Sequence, residues 1–163
     1  MKQYVTILLA IAAMTGMLAA CSGSGNGNGN GESLERLTAA EAGRRIMQTV
    51  SLPDMKQGDS EKLEKLYRIE AEVVEDFILY TASSNVKADE LAVIKLKDEK
   101  DAELVLTNIG QHIEAQIAKF KDYRPEEYAL VEKHVLKAKG RFVLFAVSMK
   151  ADRIERAFDE ALR

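Results

Sequence analysis

The sequence predicts an α+β domain: a four-stranded antiparallel sheet built from two hairpins, with helices packed on one face, in the order helix, short helix, then hairpin and helix twice. Three observations carry this expectation. Val73–Ser83 and Leu91–Lys97 are short runs rich in β-branched and aromatic residues, joined through Ser84, Asn85 and Asp89. Leu130–Lys139 and Arg141–Met149 flank Gly140, which suits a turn requiring positive φ. Between the hairpins, Ala102, Leu106, Ile109, Ile113, Ile117 and Phe120 recur three and four apart, the spacing of one apolar helical stripe. Antiparallel strands with segregated helices belong to the α+β architectures.

In chain order, Thr38 and Glu41 form a capping box, and Ala42, Ile46, Met47 and Val50 follow at helical spacing, so a first helix runs to about Val50. Pro53 lies just beyond it, and Asp54–Ser60 is polar. Leu63, Leu66 and Tyr67 mark a short second helix. The first hairpin comes next, with Leu91, Val93, Lys95 and Lys97 alternating with Ala92, Ile94 and Leu96. The long helix occupies Asp98–Lys121. In Tyr123–Tyr128, Pro125 fits a first helical position, Glu126 and Glu127 suit the first turn, and Tyr123 and Tyr128 hold the two positions of a hydrophobic staple. Phe142–Val147 is apolar on both faces and marks the most buried strand. Ile154, Phe158 and Leu162 define a last helix.

Residues 1–20 read as a signal sequence, with Lys2, an apolar run over Tyr4–Ala13 and small residues near the end. The apolar stretch Val5–Ala20 covers 16 residues and is interrupted by Thr6, Thr15 and Gly16, short of the ~20 that a spanning helix needs. Leu18, Ala19, Ala20 and Cys21 are similar to the lipobox of bacterial lipoproteins. That likeness implies cleavage between Ala20 and Cys21 and a diacylglyceryl group on the Cys21 thiol. Cys21 is the only cysteine, and thioether formation would consume a thiol that is otherwise a reactive liability in an exported protein. Two acyl chains anchor firmly where one does not. The following tract, Ser22–Gly31, contains only Ser, Gly and Asn, and its composition predicts a flexible tether with an r.m.s. reach of roughly 17 Å. Its glycines all stand at odd positions, so no G-x-G-x-x-G is present. The expected organisation is a lipoprotein signal peptide over 1–20, a lipidated cysteine and tether over 21–32, and one domain over 33–163.

The formal net charge of −3 is mild for 163 residues and gives no electrostatic footprint for nucleic acid. With one cysteine, neither a disulfide framework nor a cysteine-rich zinc site fits within the chain. His112 has Asn108 and Gln116 four residues away on either side, so no H-x-x-x-H pair exists, and it reads as a histidine at the edge of a core. His134, beside Glu132 and Lys133, is expected in the third strand and reads the same way. No G-x-S-x-G is present. Carboxylates are plentiful, notably Glu70, Glu72, Glu75 and Asp76, and a glycosidase needs only two across a cleft, but charged clusters on a domain of this kind usually form solvated faces. Lys95, Lys97, Lys100 and Lys119 are expected to face water, the alternative being contact with anionic lipid or wall polymer.

The stretch from about Leu63 to Phe158 resembles the Domain of Unknown Function 4358 family of small bacterial lipoproteins. The resemblance rests on Ala88-Asp89-Glu90-Leu91-Ala92-Val93-Ile94-Lys95, on Phe120-Lys121-Asp122-Tyr123-Arg124-Pro125, and on Gly140-Arg141-Phe142-Val143. It implies an anchored extracytoplasmic protein and brings no catalytic residues or cofactor with it. The expected function is a lipid-anchored binding or accessory module of the bacterial envelope, its partners the membrane and an envelope protein or wall polymer. The alternative is an envelope hydrolase using paired carboxylates.

Overall fold

The computed structural model describes residues 35–163, so the signal, lipobox and tether expectations, Ala20 and Cys21 included, lie outside the described residues. The elements are α1 (Ala39–Thr49), β1 (Met55–Gln57), α2 (Ser60–Tyr67), β2 (Val74–Ala82), β3 (Glu90–Leu96), α3 (Ala102–Phe120), α4 (Pro125–Glu132), β4 (Val135–Lys139), β5 (Phe142–Val147) and α5 (Ala151–Ala161). The α+β class and both antiparallel hairpins are as expected, and Gly140 turns the second hairpin at φ 56°. Thr38 Oγ1 accepts the Glu41 N–H at 3.0 Å and starts α1 where the capping box placed it.

Two features of the expected fold are corrected. The sheet has five strands, in the order β1-β2-β3-β5-β4. The extra strand, Met55–Gln57, lies in the polar stretch after Pro53. It is too short to show alternation and exists through its pairing with Tyr80–Ala82 of β2. Helices also cover both faces of the sheet. Ala92, Ile94, Leu96, Val143 and Phe145 pack with Tyr67 of α2, Ile109 and Ile113 of α3 and Val131 of α4. Leu91, Val93, Leu144 and Ala146 pack on the other face with Ala42 and Ile46 of α1 and Ile154 and Phe158 of α5. The physical reason is that every residue of β3 and β5 is buried. A strand apolar on alternate and intervening positions alike needs cover on both sides, and one helical layer cannot supply it.

Other boundaries differ locally. α4 continues to Glu132, because Pro125 opens a two-turn helix that includes Leu130 and Val131, so the third strand of the prediction begins only at Val135. His134 therefore precedes the strand. Tyr123 is 84% exposed and forms no staple. α1 lies close against β2: a Cβ on Gly43 would stand 2.0 Å from Ile78 Cδ1, so glycine lets the helix approach.

A bulge in β2 decides where two carboxylates point. Val74 pairs with Leu96 and Phe77 with Ile94, both on the α3 side, yet two residues rather than one lie between them. The extra residue re-aims Glu75 and Asp76. Asp76 Oδ2 accepts the Ala39 N–H at the start of α1, 2.5 Å away.

The stripe on α3 gives a direct expectation. Ile113 is 5% exposed, so Ile113→Ala should cost ~2–5 kcal/mol through lost burial and a residual cavity. Lys119, exposed with Nζ 4.6 Å from the Phe120 ring centroid, should lose no more than about 1 kcal/mol on change to Ala. Urea titration of the full chain in nonionic detergent measures both. Equal, small losses would show that α3 does not carry the packing assigned to it.

Candidate functional site

Three connections that are remote in sequence meet one helix at one end of the sheet. The α1–β1 link supplies Ser51–Asp54, the β2–β3 link Ser83–Asp89, the β5–α5 link Ser148–Lys150, and α4 adds Leu130. Together they bound an open groove of about 630 Å³. Its walls are mainly apolar (Leu52, Pro53, Ala82, Leu130 and Met149), with Asp54, Lys87, Asp89 and Lys150 and several serine hydroxyls around them. This is the size and character of a ligand cleft. A hollow of about 330 Å³ adjoins it and shares Leu130, Ser148 and Met149. Met149 is 87% exposed at the junction.

The groove is held by a buried acid. Glu127, in the first turn of α4, accepts the Ala88 N–H at 2.9 Å and pairs with Lys87 Nζ at 2.6 Å. These bonds fasten the β2–β3 connection to α4. On the opposite side, Lys150 Nζ donates to the Ser51 carbonyl at 2.9 Å and joins the α1–β1 link to the start of α5. Asp89 sits between these supports, half-buried, and its carboxyl is pushed above its usual range, first by burial and then by the negative charge of Glu127. Asp89 thus brings a carboxyl shifted upward by its surroundings to the lining of the groove.

The residues singled out from the sequence lie elsewhere. His112 is buried, and its Nε2–H donates to Glu90 at 3.0 Å. The Tyr67 hydroxyl donates to the other oxygen of the same carboxylate. The rings of Tyr67, His112 and Phe145 stand edge-on to one another with centroids 5.1–6.0 Å apart. This network ties α2, β3 and α3 together inside the core. His134 Nδ1–H donates to the Val131 carbonyl at 2.7 Å, and no group of three or more metal-ligating side chains occurs among the described residues.

Glu70 and Glu72 are exposed. Glu75 pairs with Lys95 at 2.8 Å and with Arg141 at 2.5 Å, and the Lys95 hydrogen bond, with Arg141 beside it, holds its carboxyl below the usual range. Glu75 and Asp76 are thus committed to an ion pair and a helix cap. Lys97, Lys100 and Lys119 face water as expected, but Lys95 does not: it is 1% exposed. Its ammonium reaches Glu75 and the Glu35 carbonyl, 2.7 Å away, and the bulge in β2 is what brings Glu75 within range.

Sequence reasoning missed Asp89, Glu90 and Glu127. A partial signal existed, because Glu90 and Lys95 are charged residues inside a strand otherwise composed of Leu, Ala, Val and Ile, a pattern that demands partners.

The architecture is a five-stranded antiparallel sheet between two helical layers, with a ligand-sized groove at one sheet end. The chain belongs to the family described as Domain of unknown function (DUF4358), which matches residues 48–148. That span includes all five strands and the groove up to Ser148. No curated protein and no solved structure matches the chain.

Proposed function

We propose that this protein is a lipid-anchored extracytoplasmic binding or accessory module of the bacterial cell envelope, fixed to the membrane through Cys21 and using the sheet-end groove to hold its partner. The observation that carries the anchor is the run Leu18-Ala19-Ala20-Cys21, with the only cysteine of the chain followed at once by the Ser/Gly/Asn tract. No helix among the described residues is long and apolar enough to cross a membrane.

The groove and the start of the described residues lie at opposite ends of the sheet. Glu35, the first described residue, pairs with Arg141 at 2.7 Å beside the Gly140 turn. The groove lies at the other end of β5, whose six residues span roughly 17 Å. A tether entering at the Gly140 end leaves the groove at the end of the sheet away from the attachment point, where a partner can reach it. No aromatic ring lines the groove, so stacking on a sugar has no platform there, whereas Leu130, Leu52 and the adaptable Met149 suit an apolar side chain of an envelope protein.

Intact mass of the membrane-extracted protein tests the anchor. The wild type should begin at Cys21 and carry the diacylglyceryl adduct, and Cys21→Ser should be uncleaved there and free of it. A wild-type protein with a free Cys21 thiol would overturn the reading.

The hydrolase alternative draws on one observation, that Asp89, whose carboxyl burial pushes upward, lines the same groove as Asp54. Release of reducing ends from purified wall glycan by the wild type, lost in Asp89→Asn, would favour it over a binding module.

A further inference from the structure

A second surface, away from the sheet-end groove and independent of Cys21, has its own chemistry. We infer that the edge of β2 left uncovered at Phe77 is a docking edge for an extended peptide of a partner protein carrying lysine or arginine at alternate positions.

The edge is open because β1 is short. It pairs only with Tyr80, Thr81 and Ala82, and a last backbone bond runs from the Gly58 N–H to the Leu79 carbonyl at 2.8 Å. The chain then leaves for α2, capped by Asp59. In an antiparallel ladder, alternate residues direct both backbone groups to the same side. Leu79 faces β1, so Phe77, two residues earlier, directs its N–H and C=O outward, and neither has a partner among the described residues. This is the geometry on which a strand can be added.

Beside the edge, between α2 and β2, lies a groove of about 560 Å³. Leu63, Ile69, Val74 and Phe77 give it an apolar lining, and its charged residues are all acidic: Glu61, Glu64, Glu75 and Asp76. Glu75 and Asp76 are already engaged by Lys95, Arg141 and the Ala39 N–H. Glu61 and Glu64 are exposed on the α2 rim and have no ion-pair partner among the described residues.

A lysine or arginine on an added strand satisfies both features. Its hydrocarbon stem lies along the apolar lining while the charged head reaches the rim carboxylates. The same charges argue against a second copy of this chain, since edge-to-edge pairing would bring Glu61 and Glu64 toward their own counterparts. The bulge at Glu75 and Asp76 turns the strand beyond Phe77, which stops open-ended pairing and confines docking to a short register.

The test uses the full chain in nonionic detergent and a fluorescent, end-capped peptide of about ten residues alternating valine and lysine, a length that covers a typical strand. Anisotropy should show saturable binding that weakens with salt and falls at least about tenfold in the exposed-site variant E61K/E64K. Binding should slow hydrogen exchange at the Phe77 amide, and N-methylation of alternate peptide residues should abolish it. Circular dichroism establishes that the variant is folded. The proposal is overturned by any of three outcomes: no saturable binding, equal binding of a peptide with glutamate in place of lysine, or binding that leaves Phe77 exchange unchanged. Dimerisation of the peptide-free chain through this edge, seen by light scattering and removed by Phe77→Pro, would assign the edge to a second copy and overturn it as well.

Discussion

Glu90→Ala should destabilise the domain by ~3–5 kcal/mol in urea titration, a loss out of proportion to the few carbon atoms removed. Glu90 is 4% exposed at the start of β3 and serves two donors at once, the Tyr67 hydroxyl and His112 Nε2 at 3.0 Å. Truncation leaves the hydroxyl without its acceptor and the imidazole with only the longer contact to Gln116 Nε2 at 3.4 Å, and each lost bond costs about 1–3 kcal/mol in this apolar setting. Glu90→Gln keeps the volume and one acceptor, so it should cost clearly less. The same carboxylate bears on alkaline stability. Tyr67 is held well above its ordinary value of 10.0, first by burial and then by the negative charge of Glu90. A raised folded pKa means that this contribution is fully present below about pH 10 and is lost as pH rises toward the folded value. Tyr67 should therefore titrate only with unfolding, and tyrosinate absorbance should rise for it together with loss of circular dichroism. A Glu90→Ala loss under about 1 kcal/mol, with Tyr67 titrating in the folded chain, would show that the network does not hold these elements together.

The parts of the fold that are local in sequence were legible. Gly140 announced its turn, Thr38 its cap and the Ile109–Ile113–Ile117 stripe its helix, because each depends on a few neighbouring residues. The layering was not, although the apolar pattern on both faces of one strand requires it. Phe142–Val147 cannot be buried on both sides by helices on one. Lys95 misled for a related reason. In a sequence it sits where an alternating strand would put a solvent-facing residue, yet its alternating face is the one that α1 and α5 cover. The residue that makes its burial tolerable, Glu75, is brought there by a bulge that no local pattern announces. The candidate site was the least legible feature. Asp89 and Glu127 stand 38 positions apart, and Asp54 and Lys150 lie farther out in either direction, so the groove exists only once the sheet has gathered its connections.

Phe145→Ala should be the most damaging single truncation of an apolar side chain, at ~3–5 kcal/mol and toward the upper end of that range. Phe145 is fully buried in β5, and its register partners are Ala92 on β3 and Leu136 on β4. A small residue opposite it on β3 leaves the ring to fill the space toward α2 and α3. There it meets Tyr67 and His112 edge-on, both centroids 6.0 Å away at 87° and 88°, contacts worth ~0.5–1.5 kcal/mol beyond burial for an aromatic pair. Ala92 cannot grow to close the cavity, and Tyr67 and His112 are held by Glu90, so collapse into the space is opposed from two sides. Phe145→Leu should recover much of the loss. Because His112 is shared, Phe145→Ala and Glu90→Ala should be non-additive, and a double-mutant cycle measures that coupling. β5 also lines the opposite core through Leu144 and Ala146. Unfolding of Phe145→Ala should therefore remain a single transition with a lower urea midpoint and an unchanged slope, since neither helical layer has a sheet of its own to stay on. Two separated transitions would mean that the α1–α5 layer holds its strands without the other face, and that the central strands do not couple the two cores.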